Sequence, residues 1–325
     1  MRILLLALFV LLPALGQAQI LPARLYAVGD LDSKSPDTEE VCRMLVRLLE
    51  ENPQARVLLL GDISNDNDGS AGTPEAYERL ERTSCGSILR VAYSLPGNHD
   101  YDGVRAVGGV PFFFNYTFNH GVRGKGWQVF DWGGWSVMLL NSEVMSTTGG
   151  KLNNPLAKLQ LDWMEWELRE RYKRQCVLTA YHRPMFSSGR FASPSWVGPL
   201  FRKSIKYGVD FYLVGHEHMF AKLPSLFPID GRSPRVDSVY GIEGIIAGAG
   251  GAVPHYPEQG KRKWAREGEE VVTNTPGVVQ IDLWPGKLQW EFLPVPSRRA
   301  QRKEWPSGIT VCHDNPGGYI EPQVE

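Results

Sequence analysis

Leu25-Tyr26-Ala27-Val28-Gly29-Asp30 and, further on, Arg56-Val57-Leu58-Leu59-Leu60-Gly61-Asp62 decide the architecture. Each is an apolar run too short for a helix, and each closes on Gly and a carboxylate. Such a run reads as a buried strand whose carboxyl end carries a polar side chain. A helix lies between them. Ser35 is its N-cap, Pro36 its first residue, and Asp37, Glu39 and Glu40 fill an acidic first turn. Val41, Leu45, Leu48 and Leu49 form its apolar stripe. Ile88 to Leu95 reads as a third strand that runs into Pro96-Gly97-Asn98-His99-Asp100. This alternation implies an α/β layered fold, with ligands bound beyond the carboxyl ends of the strands.

Downstream, Trp127 to Asp131 and Trp135 to Asn141 flank Gly133-Gly134 and read as an antiparallel hairpin. Asn154-Pro155 opens a helix through about Tyr172, with Leu156, Leu159, Trp163 and Trp166 assigned to its core face. Cys176–Tyr181 reads as a strand ending at His182, and Val209–Val214 as one ending at Gly215-His216-Glu217-His218. Ile242–Ala247 is another, and Val278–Leu283 with Leu288–Leu293 form a late hairpin. One domain over 19–325 accounts for this order. Its catalytic motifs fall within 25–252, a hairpin and tail fill 253–325, and the last thirty residues are expected to be loosely attached.

The 325 residues are 42% hydrophobic and 22% charged, an ordinary globular composition. A formal net charge of −1 supplies no field to recruit nucleic acid or an anionic membrane. Arg298-Arg299 and Arg302-Lys303, the densest basic stretch, read as a solvated turn. Arg2, the apolar run Ile3 to Leu12, and small residues at Gly16 and Ala18 spell an export signal over 1–18, cut after Ala18. Its apolar run is too short to span a bilayer core of roughly 30 Å, so a secreted or periplasmic protein without a membrane anchor is expected. Export permits disulfides, and Cys42, Cys85, Cys176 and Cys312 allow three pairings that sequence cannot separate.

Five motifs occur in order: Gly29-Asp30, Gly61-Asp62, Gly97-Asn98-His99-Asp100, His182, and Gly215-His216-Glu217-His218. Singly each is an ordinary turn or a buried histidine. Together they place carboxylate, amide and imidazole groups at successive strand ends, a donor set suited to Fe, Zn or Mn. Asp66 and Asp68 do not complete a calcium loop and read as a solvated turn.

The ordered set resembles the calcineurin-like metallophosphoesterases. Tyr181-His182-Arg183-Pro184-Met185-Phe186, Gly215 to Phe220 and the Gly-rich Ala247 to Ala252 are most similar to the purple acid phosphatase-like branch. The resemblance implies a layered β-sandwich flanked by helices. It also implies two metal ions, iron with zinc, iron or manganese. Asp62 would bridge the ions, Asp30 and His218 would complete the first site, and Asn98, His182 and His216 the second. His99, helped by Asp100, would face the substrate and protonate the leaving oxygen. Tyr101, Arg183 and His255 are candidate substrate contacts.

Two positions depart from the family's pattern. Asp32 stands where many relatives place a histidine, and is either a hard oxygen ligand or turned to solvent. Asn65 stands where purple acid phosphatases place the tyrosine that colours iron(III), so a colourless or weakly coloured protein is expected. Two cations roughly 3.5–4 Å apart need a shared carboxylate between them, and such a pair lowers the pKa of a bound water to about 7. The expected activity is hydrolysis of phosphate monoesters carried by small molecules or proteins. A phosphodiesterase on the same core and a catalytically idle metal-binding protein are the alternatives. Oligomeric state is not legible.

Overall fold

The apolar runs are unbroken because their strands are covered on both faces. The computed structural model describes residues 21–106, 111–145, 154–171, 175–191, 195–228, 234–256 and 268–312. The expected export signal over 1–18 lies outside the described residues.

In chain order the first strands and helices are β1 (Ala23–Val28), α1 (Pro36–Glu51), β2 (Arg56–Leu60), α2 (Pro74–Glu81), α3 (Cys85–Val91) and β3 (Tyr93–Leu95). The middle of the chain holds α4 (Phe113–Tyr116), β4 (Gln128–Trp132), β5 (Trp135–Leu139), α5 (Pro155–Arg171), β6 (Cys176–Tyr181), α6 (Gly198–Lys206) and β7 (Phe211–Val214). Then come β8 (Phe220–Pro228), β9 (Pro234–Val236), β10 (Ile242–Ala247) and β11 (Glu270–Val272). The last are β12 (Gly277–Trp284), β13 (Lys287–Pro294) and β14 (Ser307–Val311).

They form two sheets. One runs β14-β13-β12-β1-β2-β3, the other β11-β8-β10-β7-β6-β5-β4, with β9 on β8. Strands β1, β2 and β3 are parallel, as are β5, β6, β7 and β10. Leu25, Ala27, Leu58 and Leu60 of the first sheet meet Trp135, Val137, Leu178 and Leu213 of the second in one buried layer. The alternate residues Tyr26, Val28, Val57 and Leu59 face the other way and pack under Val41 and Leu45 of α1 and Ile88 and Leu89 of α3. Met138, Tyr212 and Ile246 do the same for Met164 and Leu168 of α5 and Leu200 and Phe201 of α6. The fold is thus a β-sandwich with helices on its outer faces. Each such fully buried large side chain contributes roughly 1.5–3 kcal/mol.

Ser35 caps α1 as expected, accepting from the Asp37 N–H at 3.2 Å. Gly133 and Gly134 turn the β4–β5 hairpin with φ of 59° and 81°, values that favour glycine, and the register pairs Trp132 with Trp135. Three expectations need correction. Ile88 to Val91 is helical, and only Tyr93–Leu95 is strand. Buried Cys85, Ile88, Leu89 and Ala92 repeat at helical spacing, and Cys85 is disulfide-bonded to Cys42 of α1. On α5 the buried face is Ala157, Gln160, Met164 and Leu168, while Leu159 and Trp166 stand 44% and 62% exposed. The polar Gln160 hid that face from a hydropathy reading: it is buried because its amide bonds the Asn141 backbone at 2.7 and 2.9 Å. The tail is also fastened as far as Cys312, because β14 pairs with β13 and Cys312 is disulfide-bonded to Cys176. No helix among the described residues is long and apolar enough to cross a membrane.

Candidate metal centre

The parallel strands deliver their carboxyl ends to one place. Asp30 follows β1, Asp62 follows β2, Asn98 and His99 follow β3, His182 follows β6, and His216 and His218 follow β7. The connecting backbone is laced together there. Asp30 N–H donates to Gly61 O at 3.1 Å, Gly215 N–H to His182 O at 2.9 Å, and Gly29 N–H to Ala247 O at 2.8 Å. Asp30, Asp62 and His216 have φ of 65°, 49° and 72°. Left-handed backbone is costly for residues with a Cβ and gathers at functional sites. Gly97 allows the closest approach: a Cβ there would lie 2.2 Å from Asp62 Oδ1 and 2.4 Å from Asp62 N.

Ligand-capable atoms of Asp62, His182 and His216 lie within 4.8 Å of one another, all buried. His182 Nε2 is 3.2 Å from Asp62 Oδ2 and 3.3 Å from Asn98 Oδ1. On the other side, His218 Nε2 is 3.6 Å from Asp30 Oδ1, and Asp30 Oδ2 accepts the His216 N–H at 2.9 Å. The structure therefore brings the six proposed ligands together in two halves that meet at Asp62.

These residues fit a cation. Asp30 Oδ1 is buried with no hydrogen-bond donor, and Asp62 Oδ2 is faced only by His182 Nε2; buried carboxylate oxygens are costly unless a positive group faces them. His182 Nδ1 donates to Leu60 O at 2.8 Å, and His218 Nδ1 to Val253 O at 2.6 Å. Each bond fixes the ring and aims Nε2 inward, as backbone carbonyls do for metal-binding histidines. Burial, then the His182 charge, pushes His216 well below the usual histidine range; burial, then His255, takes His218 down to about 3. Both therefore present neutral imidazoles. Burial alone would lower His182, but the Asp62 charge and hydrogen bond outweigh it and lift it to about 9. Asp62 is held below the usual carboxylate range because the same pairing outweighs its burial.

The other candidates sort differently. His99 N–H donates to Asp62 Oδ1 at 2.8 Å, and its ring, about a third exposed, bonds through Nδ1 to Asp102 Oδ2 at 2.8 Å. Asp102, not Asp100, orients it. Asp100 is fully buried and accepts from Gly97 N–H at 2.8 Å, Ile63 N–H at 3.1 Å and the Tyr77 hydroxyl, so it braces the loop under the site. The His-Asp pair at i, i+3 in His99-Asp100-Tyr101-Asp102 was readable, but the adjacent acid is the more obvious choice.

Asp32 is half-buried. Its carboxylate accepts the Lys34 N–H at 2.9 Å and lies beside Asp66, which Ser33 and Arg79 hold. Asp66 is buried and paired with Arg79 at 2.6 Å, so the solvated turn expected there is a packed one. The Tyr101 hydroxyl accepts from Asn141 at 2.8 Å and is occupied within the protein.

Arg183 does reach the site: its guanidinium is 3.1 Å from His216 Nε2, held by Glu143 at 3.0 Å. His255 stacks on His218 at 3.8 Å and lies behind it, with Nδ1 3.2 Å from buried Glu217. Phe191, which no sequence signal marked, is 40% exposed with its ring 5.1 Å from His216. It sits there because Glu217 accepts the Arg190 and Phe191 N–H groups at 3.0 and 2.8 Å.

Comparison with known proteins agrees with this arrangement. A stretch of 129 residues is 25% identical to the 3',5'-cyclic adenosine monophosphate phosphodiesterase CpdA of Escherichia coli K12. That alignment spans 40% of this chain and 40% of the relative's length. The fold is shared with purple acid phosphatase PPD1 from yellow lupin seeds, at TM-score 0.65 and 16% identity, over 88% of this chain and 53% of that one. It is shared also with GAP50, the anchor in the inner membrane complex of Plasmodium, at TM-score 0.66 and 13% identity, over 90% and 89% of the two chains. The family model of calcineurin-like phosphoesterases matches residues 23–220. That match takes in more than half of the sequence and every strand end that carries a candidate ligand, and the chain belongs to the calcineurin-like phosphoesterase family.

Proposed function

We propose that this chain is an exported phosphoric ester hydrolase that uses two metal ions, iron with zinc, iron or manganese, to cleave phosphate monoesters. The observation that carries the reading is the meeting of two neutral histidines, His182 Nε2 and the buried carboxylates of Asp30 and Asp62. Asp30, Asp62 and His218 would hold one ion, and Asp62, Asn98, His182 and His216 the other. Bound there, the ions supply a water of lowered pKa and positive charge for the phosphoryl oxygens.

The chain's own residues provide the rest. His99 is bonded to Asp62 through its backbone N–H and has a partly exposed ring with Nδ1 tied to Asp102, which leaves Nε2 to give a proton to the departing oxygen. General-acid help of this kind is typically worth 10²–10⁴-fold. Arg183, braced by Glu143, offers a guanidinium to a phosphoryl oxygen beside His216. Glu217 holds the loop that carries Phe191 over the rim.

The two disulfides, Cys42–Cys85 and Cys176–Cys312, support an oxidising compartment and therefore export. The near-neutral charge favours a small-molecule or protein-borne ester over nucleic acid. The partial likeness to a cyclic-nucleotide phosphodiesterase favours a second reading, diester hydrolysis at the same site. The test is turnover of an aryl phosphate monoester beside the matching diester, by chain stripped and reloaded with iron, zinc or manganese. Metal-dependent monoester turnover that collapses in His99→Ala is expected. Diester preference would move the substrate class, and inactivity with two ions bound would point to a binding protein instead.

A further inference from the structure

We infer that the amide oxygen of Asn65 is a ligand of the first metal ion, beside Asp30, Asp62 and His218. The inference rests on the dinuclear reading above.

Asn65 is fully buried, three residues beyond Asp62, with its N–H bonded to Leu31 O at 2.7 Å. Its side chain is thereby fixed beside the Asp30 half of the site. Asn65 Oδ1 has no hydrogen-bond donor. Its Nδ2 lies 2.7 Å from His218 Nε2 and donates to that lone pair. Two buried oxygens on this side of the site, on Asp30 and Asn65, therefore lack any donor. Buried acceptors are rarely left in this state without a positive group to face.

The imidazole forces the choice. His218 Nδ1 is committed to Val253 O at 2.6 Å, so Nε2 is the only ring nitrogen left for a metal. Nε2 cannot bind a cation and accept the Asn65 N–H at once, because both need the same lone pair. An ion on Nε2 therefore expels the Asn65 NH₂ group. A half-turn of the amide costs no volume and brings Oδ1 to the vacated position. The 2.7 Å separation from His218 Nε2 is close to the roughly 3 Å between adjacent ligands of an ion with bonds near 2.1 Å. The first site then has Asp30, Asp62, His218 and Asn65, a hard, oxygen-rich set.

The experiment is a competition titration with a metal chelator, with manganese or zinc as the probe ion, on the full chain and two variants. Asn65→Leu removes the oxygen at nearly constant volume. Asn65→Asp keeps an oxygen but destroys the amide donor. The expected result is two ions per chain in the natural protein and weakening of one of them by about 100-fold in the leucine variant. A lost supporting bond already costs 10–100-fold, and a lost ligand should cost no less. The aspartate variant should bind that ion as tightly as the natural chain or more tightly.

Undiminished binding in Asn65→Leu would overturn the inference. So would an aspartate variant that weakens along with the leucine one, since that result marks the amide N–H as the working group. A natural chain that binds fewer than two ions would overturn the dinuclear reading and this inference together. If Asn65→Leu does not fold, Asn65→Ala makes the same removal without the bulk, and metal-free melting temperatures show whether each variant folds.

Discussion

On the Asn98 side of Asp62, His182 Nε2 sits 3.2 Å from the shared carboxylate and 3.3 Å from an amide oxygen. On the Asp30 side, His218 Nε2 stands 3.6 Å from a carboxylate oxygen and 2.7 Å from an amide nitrogen. The two halves keep their charge in balance differently. On the first side a proton on His182, held up to about pH 9, faces Asp62 where a cation would. On the second side His218 is neutral, and burial pushes Asp30 well above the usual carboxylate range, so the charge is removed rather than paired. The two halves thus settle the charge of their buried carboxylates in different ways, one by pairing and one by protonation.

The largest break in this comparison is Asp62→Ala, which takes away the carboxylate common to both halves. Loss of both ions in elemental analysis is expected, with hydrolysis at least about 10³-fold lower, since bound metals supply several kcal/mol to the transition state. Gly97→Ala keeps every ligand but sets a Cβ 2.2 Å from Asp62 Oδ1. Displacement of that carboxylate should cost on the order of 10² in rate, and it should weaken both ions together, which paired titrations of metal affinity would register.

A smaller contrast separates Asp102 from Asp100. Asp102→Ala frees the His99 ring and should lower kcat about tenfold with the melting temperature unchanged. Asp100→Ala strands the Gly97 and Ile63 N–H groups and should cost roughly 1–3 kcal/mol of stability in denaturant unfolding.

The two halves also part in their response to pH. His182 is raised from an ordinary 6.5 to about 9 in the metal-free chain. Its pairing therefore stabilises the metal-free fold fully below about 6.5 and is lost as pH rises through about 9. The span corresponds to roughly 3 kcal/mol at 1.36 kcal/mol per pH unit. Metal-free protein should melt lower above pH 9 while metal-loaded protein does not. Loading must also expel that proton, so affinity at the His182 half should fall by up to about tenfold per unit below pH 9. Calorimetric titration in buffers of different ionisation enthalpy counts the protons released.

Much of this was legible in the sequence, for identifiable reasons. Strands β1, β2, β6 and β7 are apolar on both faces, and their ends carry Asp30, Asp62, His182, His216 and His218 in plain view. What stayed hidden depends on contacts between distant segments. The face of α5 turns on Gln160, a polar residue buried by a backbone it meets only in the fold. Ile88 to Val91 reads as strand by composition, but it packs on α1 and is helix. Asp100 and Asp102 cannot be told apart until Gly97 and Ile63 are seen to need an acceptor. Asp32 reads equally as a ligand or a solvent-facing residue, and only the fold sets it beside Asp66 and the Lys34 N–H.

The most direct test is the hydrolysis of an aryl phosphate monoester by one preparation, measured as purified, after stripping with chelator, and after reloading to two ions per chain. The account predicts turnover that disappears on stripping and returns on reloading. Turnover that survives complete stripping, or none at all with both ions bound, would contradict it.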